Sequence, residues 1–310
     1  MAGSPLRGRS FLSVSDLNNR ELLDLLQFAS DLKRRFQAGI RDRPHEGKVL
    51  GLLFQKPSLR TRTSFEVAMA HLGGTSVYLS PAEVGMGQRE AVDDVAMVVS
   101  RYFDVISARV FEHSIVTELA EHASVPVINA LSDGEHPCQA LADLLTVQEW
   151  RGPLRGQSLA FIGDGNNVAV SLALACVKTG MEFRIAAPEG YWMPEDAVQA
   201  IEAEAELGGG SLVQVTDPRE AATGVNVLYT DVWTSMGQEA ERERRLQAFA
   251  GYIIDQELVD LGDEAIVLHC LPAHYGEEIT RDVSRGPRSA IWDQAENRMH
   301  AQRALLAQVL

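Results

Sequence analysis

Short apolar runs alternate with helical patterns along the chain, and this alternation limits the possible folds more than any other feature. Residues 49–54, 105–110 and 158–162 are examples of the runs. Runs of five or six residues that are almost entirely apolar suit strands covered on both faces, as in parallel sheets. Between them, apolar residues recur every three or four positions, which predicts helices. The chain therefore indicates an α/β protein built from βαβ units.

The alternation stops and restarts around a turn-rich loop at residues 151–156, Arg-Gly-Pro-Leu-Arg-Gly. Because glycine and proline interrupt regular structure, this loop predicts a domain boundary. We expect residues 1–150 and 151–293 to form two doubly wound parallel-sheet domains with a ligand-binding cleft between them. A strand-like segment at 289–292 precedes a last helix, 294–310, which is expected to pack back on the first domain.

The charge balance and the cysteines exclude several classes of protein. The chain has 28 Lys and Arg against 43 Asp and Glu, a net charge of −15, which would repel the phosphate backbone of a nucleic acid. Its longest stretch without a charged residue, 67–82, is shorter than the about 20 apolar residues of a membrane span. No apolar signal-peptide core follows the first basic residues, and the three cysteines lack C-x-x-C spacing. We expect a cytoplasmic protein with neither nucleic-acid nor membrane partners.

Residues 57–62, Pro-Ser-Leu-Arg-Thr-Arg, connect a predicted strand to a predicted helix. Such a turn presents backbone N–H groups and the positive end of the helix dipole, both of which attract an anion. Ser58 and Thr61 add hydroxyl groups, and Arg60 and Arg62 add guanidinium groups. The segment predicts a phosphate site, and the alternative is an ordinary helix start with Ser58 as its cap.

Two further candidates lie in the first half of the chain. Arg109 occurs inside an apolar run, where a charge must be paired or serve a ligand, so a structural ion pair stays open as the alternative. His136 and Gln139 share one face at the start of a helix. A neutral imidazole there could donate to a carbonyl oxygen, or it could be satisfied within a His-Pro turn. Cys138, between them, is predicted to pack rather than to act as a nucleophile.

The first strand of the second half is followed by Gly163-Asp164-Gly165-Asn166-Asn167. The third glycine of a dinucleotide-binding motif is absent, because Val168 occupies its position. Ala186-Ala187-Pro188 stands where that motif has its acidic residue. The turn therefore favours a polar small molecule over NAD.

Asp231 and Cys270 each follow a predicted strand of the second half. Asp231 could hold an ammonium group, and the Ser-Met-Gly segment at 235–237 could fold over a ligand; an ordinary surface loop is the alternative. Cys270, close to Pro272, could face the cleft or be a small buried residue.

In this order and spacing, the motifs resemble the aspartate and ornithine carbamoyltransferases over essentially the whole chain. The Ser-x-Arg-Thr-Arg, strand Arg and His-Pro-x-Gln motifs resemble those common to both branches. Gly-Asp-Gly-Asn-Asn, Asp-x-x-x-Ser-Met-Gly and His-Cys-Leu-Pro resemble the ornithine branch. The resemblance implies transfer of the carbamoyl group of carbamoyl phosphate to the side-chain amine of L-ornithine, giving citrulline. It also implies no cofactor, no metal, and a homotrimer or a higher multiple of trimers.

The resemblance assigns roles to individual residues. Those implied for catalysis are Arg109, His136, Asp231 and Cys270. Those implied for carbamoyl phosphate are Ser58, Leu59, Arg60, Thr61, Arg109, His136, Gln139, Cys270, Leu271 and Arg298. Those implied for ornithine are Asn167, Asp231, Ser235 and Met236. The basic groups expected to form one positive cleft within an acidic protein are Arg60, Arg62, Arg109, His136 and Arg298.

Two positions depart from the family pattern. Leu59 stands where threonine is common, and Tyr275 stands where a basic residue is frequent, so the loop at Tyr275 would close differently. The resemblance does not assign a contact from a neighbouring subunit to any one residue within 84–88. The alternatives are a carbamoyltransferase for putrescine or N-acetylornithine, a non-catalytic binding subunit, and a nicotinamide dehydrogenase.

Overall fold

The structure is a computed structural model that describes residues 4–87, 89–234 and 239–310. Two compact units divide the chain. The first contains the chain up to Ala142 together with Asn297–Leu310, and the second contains Asp143–Glu296. Each unit has a parallel sheet flanked by helices, which confirms the predicted α/β class.

Within the described residues, the first unit is built on four parallel strands in the order β2-β1-β3-β4. The strands are β1 (Val49–Phe54), β2 (Thr75–Leu79), β3 (Val105–Arg109) and β4 (Val127–Leu131). The helices are α1 (Asn19–Gln37), α2 (Leu59–His71), α3 (Pro81–Val84), α4 (Val92–Val99), α5 (His113–His122) and the start of α6 (Pro137–Arg151).

Strand β1 is buried in this sheet, as its apolar sequence predicts. Gly51 is required there because the Phe103 ring fills the space beside it; a Cβ at Gly51 would lie 2.3 Å from that ring. The parallel register pairs Phe54 with Arg109, and Arg109 with Leu131. The carboxyl ends of β1, β3 and β4 therefore meet at one edge of the sheet.

The part of the second unit that the structure describes has five parallel strands in the order β7-β6-β5-β8-β9. They are β5 (Ser158–Ile162), β6 (Glu182–Ala186), β7 (Ser211–Val215), β8 (Val227–Thr230) and β9 (Ile266–His269). The helices are the rest of α6, α7 (Asn167–Lys178), α8 (Glu195–Gly208), α9 (Pro218–Ala222), α10 (Arg242–Ala248), α11 (Gln256–Val259), α12 (Arg281–Arg285) and the start of α13 (Ile291–Val309). From Asn297 onward α13 belongs to the first unit, as predicted for the last helix. The strand order changes direction between β5 and β8, which is where doubly wound sheets bind ligands.

The strand expected at residues 289–292 is wrong. Only Ser289 makes a β-bridge, to Val267, and helix α13 already begins at Ile291. A run of four mostly apolar residues fits the end of a strand and the start of a buried helix equally well, so periodicity does not separate them. The last helix is therefore longer than the predicted 294–310 at its amino end.

The two 19-residue helices, α1 and α13, both contain several charged residues. Among the residues that the structure describes, no helix is both long enough and apolar enough to cross a membrane.

A buried ion pair joins helices α7 and α8. Lys178 Nζ lies 2.6 Å from Glu204 Oε2, and the lysine side chain is only 2% exposed. The helices approach so closely that a Cβ at Gly208 would lie 2.1 Å from the carbonyl oxygen of Val177. Burying an ammonium group is costly unless an anion compensates its lost hydration, so Glu204 is required as long as Lys178 is present.

We expect Glu204→Ala to lower the free energy of unfolding by about 3 kcal/mol, because it leaves a buried cation without its carboxylate. The double variant Lys178→Met, Glu204→Leu removes both charges and should be nearly as stable as the wild type. Urea denaturation followed by circular dichroism measures both values. A single variant as stable as the wild type would contradict this account of the pair.

Candidate functional site

Helix α2 begins directly after the edge where β1 and β3 end. Ser58 is its cap, because the Ser58 hydroxyl accepts a hydrogen bond from the Thr61 N–H at 3.3 Å. Leu59 and Arg60 are exposed in the first turn. That turn contains two arginines and no carboxylate in its sequence, so its side chains do not neutralise the positive helix end. The capping interpretation is correct for Ser58, and it leaves the anion-attracting character of the turn intact.

The guanidinium group of Arg298, on α13, brings three of the predicted residues together. Its Nη1 donates to Gln139 Oε1 and lies 3.3 Å from His136 Nε2, and its Nη2 donates to Thr61 Oγ1 at 3.3 Å. All four residues are at most 5% exposed. We call Thr61, His136, Gln139 and Arg298 the Arg298 cluster. Its members come from α2, from α6 and the residue just before it, and from α13, which are far apart in sequence.

The electrostatics of this cluster keep His136 neutral. Burial, with Arg298 and Arg109 as further causes, holds the pKa of His136 well below its usual value of 6.5. An arginine only donates, so His136 Nε2 accepts from Arg298 and the ring hydrogen is on Nδ1. The imidazole is thus a neutral group surrounded by fixed positive charge.

The two other predicted arginines differ in their surroundings. Arg109 ends β3, is 6% exposed, and contributes to the lowered pKa of His136. Arg62 is exposed: its Nε lies 2.9 Å from Glu66 Oε1, and its guanidinium carbon lies 4.0 Å from the centre of the Tyr78 ring. These contacts give Arg62 partners on α2 and β2, and its place in the positive cleft stays a prediction.

Cys138 is fully buried beside this cluster. Its Sγ donates to the Asn129 carbonyl oxygen at 3.5 Å, and burial raises the pKa of the thiol to about 12. A thiol that stays protonated is a poor nucleophile. This agrees with the packing role predicted for it.

In the second unit, Asp231 is the centre of a separate polar group. It follows β8 and is 7% exposed. Its Oδ2 accepts from Asn166 Nδ2 at 3.0 Å, and its Oδ1 accepts from Cys270 Sγ at 3.0 Å. Because β5, β8 and β9 are neighbours in the sheet, the turns after them meet at one edge. We call Asn166, Asp231 and Cys270 the Asp231 cluster.

The asparagine of this cluster is not the one that we assigned to ornithine. Asn166 caps α7: its Oδ1 accepts from the N–H groups of Val168 and Ala169, at 3.0 and 3.1 Å. Its Nδ2 is therefore left to donate to Asp231. Asn167 is the first residue of α7. The sequence alone does not show which of two adjacent asparagines caps the helix and which begins it.

Two features hold the turn before Asn166. A Cβ at Gly165 would lie 2.3 Å from Met193 N, so only glycine fits there. Asp164 Oδ2 accepts from Arg245 Nη1 at 2.7 Å. Burial raises the pKa of Asp164, and Arg245 partly offsets that effect.

Arg245 also donates to the Trp233 carbonyl oxygen at 2.9 Å, so it ties this turn to the segment after β8. Arg245 is not among the predicted site residues, because the charged run at 239–245 is typical of a solvated helix face. The expected ornithine contacts Ser235 and Met236 lie outside the described residues.

Leu271 follows Cys270 and is partly buried. The Leu271–Pro272 peptide bond is cis. Tyr275, the departure from the family pattern, is 41% exposed, with the Arg281 guanidinium carbon 5.9 Å from its ring centre.

Two groups of described residues have the spacing of metal ligands, with their ligand atoms within 4.8 Å of one another. They are Asp231 with His269 and Cys270, and His274 with Glu277 and Glu278. In the first group Cys270 donates to Asp231, and in the second Glu277 pairs with Arg242. Members of both groups thus have hydrogen-bond or ion-pair partners within the protein.

Comparison with known proteins finds relatives for both halves of the chain. Residues 9–149 match the family model described as the aspartate/ornithine carbamoyltransferase carbamoyl-P binding domain, and residues 155–309 match that family's Asp/Orn binding domain. The ornithine carbamoyltransferase of Symbiobacterium thermophilum is 50% identical over 306 residues, covering 98% of this chain and 99% of that protein. That of Gloeobacter violaceus is 53% identical over 301 residues, covering 96% and 95%.

The solved structure of ornithine carbamoyltransferase from Pyrococcus furiosus superimposes with a TM-score of 0.95 at 48% identity, covering 98% of this chain and 97% of that one. Both halves of the chain are thus matched. The chain belongs to the aspartate/ornithine carbamoyltransferase family.

Proposed function

We propose that this chain transfers the carbamoyl group of carbamoyl phosphate to the side-chain amine of L-ornithine, giving L-citrulline and phosphate, as a step of arginine biosynthesis. The observation that carries the proposal is the presence of complementary polar clusters at the strand ends of the two units. The Arg298 cluster suits an anionic phosphate ester, and the Asp231 cluster suits an amine. Relatives about half identical over nearly their full length are named ornithine carbamoyltransferase, and one from Pyrococcus furiosus is named anabolic.

Carbamoyl phosphate binds at the start of α2 and at Arg109. Its phosphate is held by the helix N-terminus and by Ser58, the Leu59 N–H, Arg60 and Thr61. Because only the backbone of Leu59 is used, a leucine in place of the family's common threonine is no obstacle. The support for this assignment is the positive, carboxylate-free first turn of α2.

The carbamoyl group is polarised by fixed donors. Attack on its carbon builds negative charge on the carbonyl oxygen and then expels phosphate, so donors placed in advance lower the barrier, each by about 3 kcal/mol. Neutral His136 donates through its ring N–H, and Arg109 lies between the phosphate and carbonyl oxygens. Gln139, Leu271 and Arg298 bind the carbamoyl group. No covalent nucleophile is required, which fits the protonated state of Cys138.

Ornithine binds through Asn167, Asp231, Ser235 and Met236. Its side-chain amine must lose a proton before it attacks, and a lysine-like amine has an ordinary pKa near 10.4. Asp231 and Cys270, already hydrogen-bonded at 3.0 Å, orient the amine and help to deprotonate it. The α-amino acid end, which Asn167, Ser235 and Met236 would bind, favours ornithine over putrescine, which has no α-amino acid end, and over N-acetylornithine, whose α-amine is blocked.

We propose residues 1–150 with 294–310 as the carbamoyl-phosphate-binding domain, and residues 151–293 as the ornithine-binding domain. The supporting observation is that the two family models meet between residues 149 and 155. We also propose a homotrimer, or a higher multiple of trimers. Apolar side chains that a subunit contact would cover are exposed in the first unit, including Val77, Val98 and Tyr102. A cytoplasmic location suits the three thiols, which form no disulfide in the described structure.

Substrate choice tests the proposal directly. Purified protein with carbamoyl phosphate is expected to carbamoylate L-ornithine far faster than putrescine, N-acetylornithine or L-aspartate, as measured by colorimetric assay of the ureido product and by phosphate release. No citrulline from ornithine would refute the proposed function. Faster turnover of putrescine or N-acetylornithine would replace it with that alternative.

Asp231→Asn is expected to lower kcat/KM for ornithine about 100-fold or more, because an amide neither balances an ammonium charge nor takes up a proton. The pH profile should shift upward, since the amine must then lose its proton to solvent. Asp263 is exposed, so Asp263→Asn is the matched control. It should leave kcat/KM for ornithine and the pH profile unchanged. An unchanged turnover number and pH profile in Asp231→Asn would contradict the role of Asp231.

The lowered pKa of His136 predicts a loss of stability in acid. The unfolded chain binds a proton near pH 6.5 and the folded chain does not, so stability falls as the pH drops below about 6.5, by up to about 1.4 kcal/mol per pH unit. His136→Gln removes the contribution of this imidazole to the pH dependence of the free energy of unfolding. Urea denaturation between about pH 5 and pH 7 should give a shallower pH dependence for the variant. Equal slopes would show that His136 is not held neutral.

A further inference from the structure

The segment after β9 is held by hydrogen bonds that run from Glu278 through His269 to Leu271. His269 Nε2 lies 2.9 Å from Glu278 Oε1, and both side chains have no solvent exposure. Glu278 Oε1 also accepts from the His274 N–H at 2.6 Å. The Leu271 N–H donates to His269 Nδ1 at 2.9 Å. One carboxylate oxygen therefore orients the imidazole ring and also fixes the loop beyond it.

These contacts determine the tautomer of His269. Because Nδ1 accepts from a backbone N–H, it carries no hydrogen. The hydrogen is on Nε2, which donates to Glu278. Both ring nitrogens are therefore occupied, and the thiol of Cys270 donates instead to Asp231 Oδ1. This arrangement gives His269 no path for passing a proton to or from Cys270.

The residue that His269 holds has an unfavourable backbone conformation. Leu271 has φ +59°, in the left-handed region, which is unfavourable for a residue with a side chain. Such a conformation persists only where its surroundings impose it. The hydrogen bond from the Leu271 N–H to His269 Nδ1 fixes the peptide group between Cys270 and Leu271, and with it the direction of both residues.

We propose that His269 and Glu278 are positioning residues for carbamoyl transfer, acting through the backbone of Cys270 and Leu271. This rests on the proposed function, which places Cys270 and Leu271 at the reacting groups. His269 Nδ1 is the atom that holds the loop, and Nε2 only orients the ring. A misplacement of about 1 Å at a reacting centre lowers the rate about 100-fold, so the hydrogen bond to Nδ1 matters for the rate as well as for stability.

Two substitutions of His269 separate the two nitrogens. The side-chain amide of asparagine reaches the position of Nδ1, so His269→Asn retains an acceptor for the Leu271 N–H and loses the contact with Glu278. The longer glutamine reaches the position of Nε2, so His269→Gln retains the contact with Glu278 and loses the acceptor. We expect kcat to fall about 100-fold in His269→Gln and less than about 10-fold in His269→Asn. Neither should change the shape of the kcat pH profile, and both should lower the melting temperature by similar amounts.

Equal values of kcat in the two variants would overturn the proposal. If both retained the wild-type rate, the loop would need no support for catalysis. If both lost activity together and the pH profile lost a limb, His269 would be transferring a proton.

Glu278→Gln serves as a second variant in case both His269 variants fail to fold, because a glutamine oxygen still accepts from His269 Nε2 and His274 N. We expect its kcat to fall less than about 10-fold. A loss of about 100-fold would show that the charge of Glu278 acts on the chemistry, against a purely positioning role.

Hydrogen exchange at the Leu271 amide, followed by mass spectrometry, is independent of turnover. The amide should be protected in the wild type and in His269→Asn, and it should exchange faster in His269→Gln. Equal exchange in all three would overturn the structural part of the proposal. Wild-type protein that made no citrulline would instead refute the proposed function, and this exchange measurement would still test the hydrogen bond to His269.

Discussion

Parallel pairing of the strands is the constraint on which the rest of the structure depends. When neighbouring strands run in the same direction, all their carboxyl ends lie at one edge, and the turns after them meet there. In the first unit this edge holds Arg109 and the start of α2, and in the second it holds Asp231 and Cys270. Parallel pairing alone thus brings residues that are far apart in sequence close together in each sheet. The helices that cover the sheets supply the remaining partners, such as Arg298.

Burial decides the electrostatics at this edge. The chain is strongly acidic overall, yet Arg109 and Arg298 are almost fully buried. A buried cation needs acceptors nearby, and the neutral oxygens of Thr61 and Gln139 provide two of them for Arg298. The charge is therefore stabilised without being neutralised by a carboxylate at these contacts. A neutral His136 beside it avoids repulsion that a protonated ring would add.

The sequence predicted the parts of the structure that depend on composition and period. Apolar runs such as β1 and β5 identified the buried strands, and polar residues directly after strands include Asp231 and Cys270, which the structure brings together. Sequence reasoning did not reach contacts that depend on a single hydrogen bond. Nothing in the sequence distinguishes Asn166 from Asn167, or a solvated arginine in a charged run from the buried Arg245. Arg62 fits a phosphate motif by type, but its contacts with Glu66 and Tyr78 are visible only in the fold.

Asn166 shows how folding and function become inseparable in such a protein. One amide group caps α7 through its oxygen and holds Asp231 through its nitrogen. Formation of the helix therefore sets the orientation of the carboxylate before any ligand arrives. In the proposed function, where Asp231 binds ornithine, little reorganisation remains for the moment of binding, and that is a source of catalytic rate. For the same reason a chance substitution at Asn166 would alter stability and activity together, so natural variation cannot tune either property separately at this position.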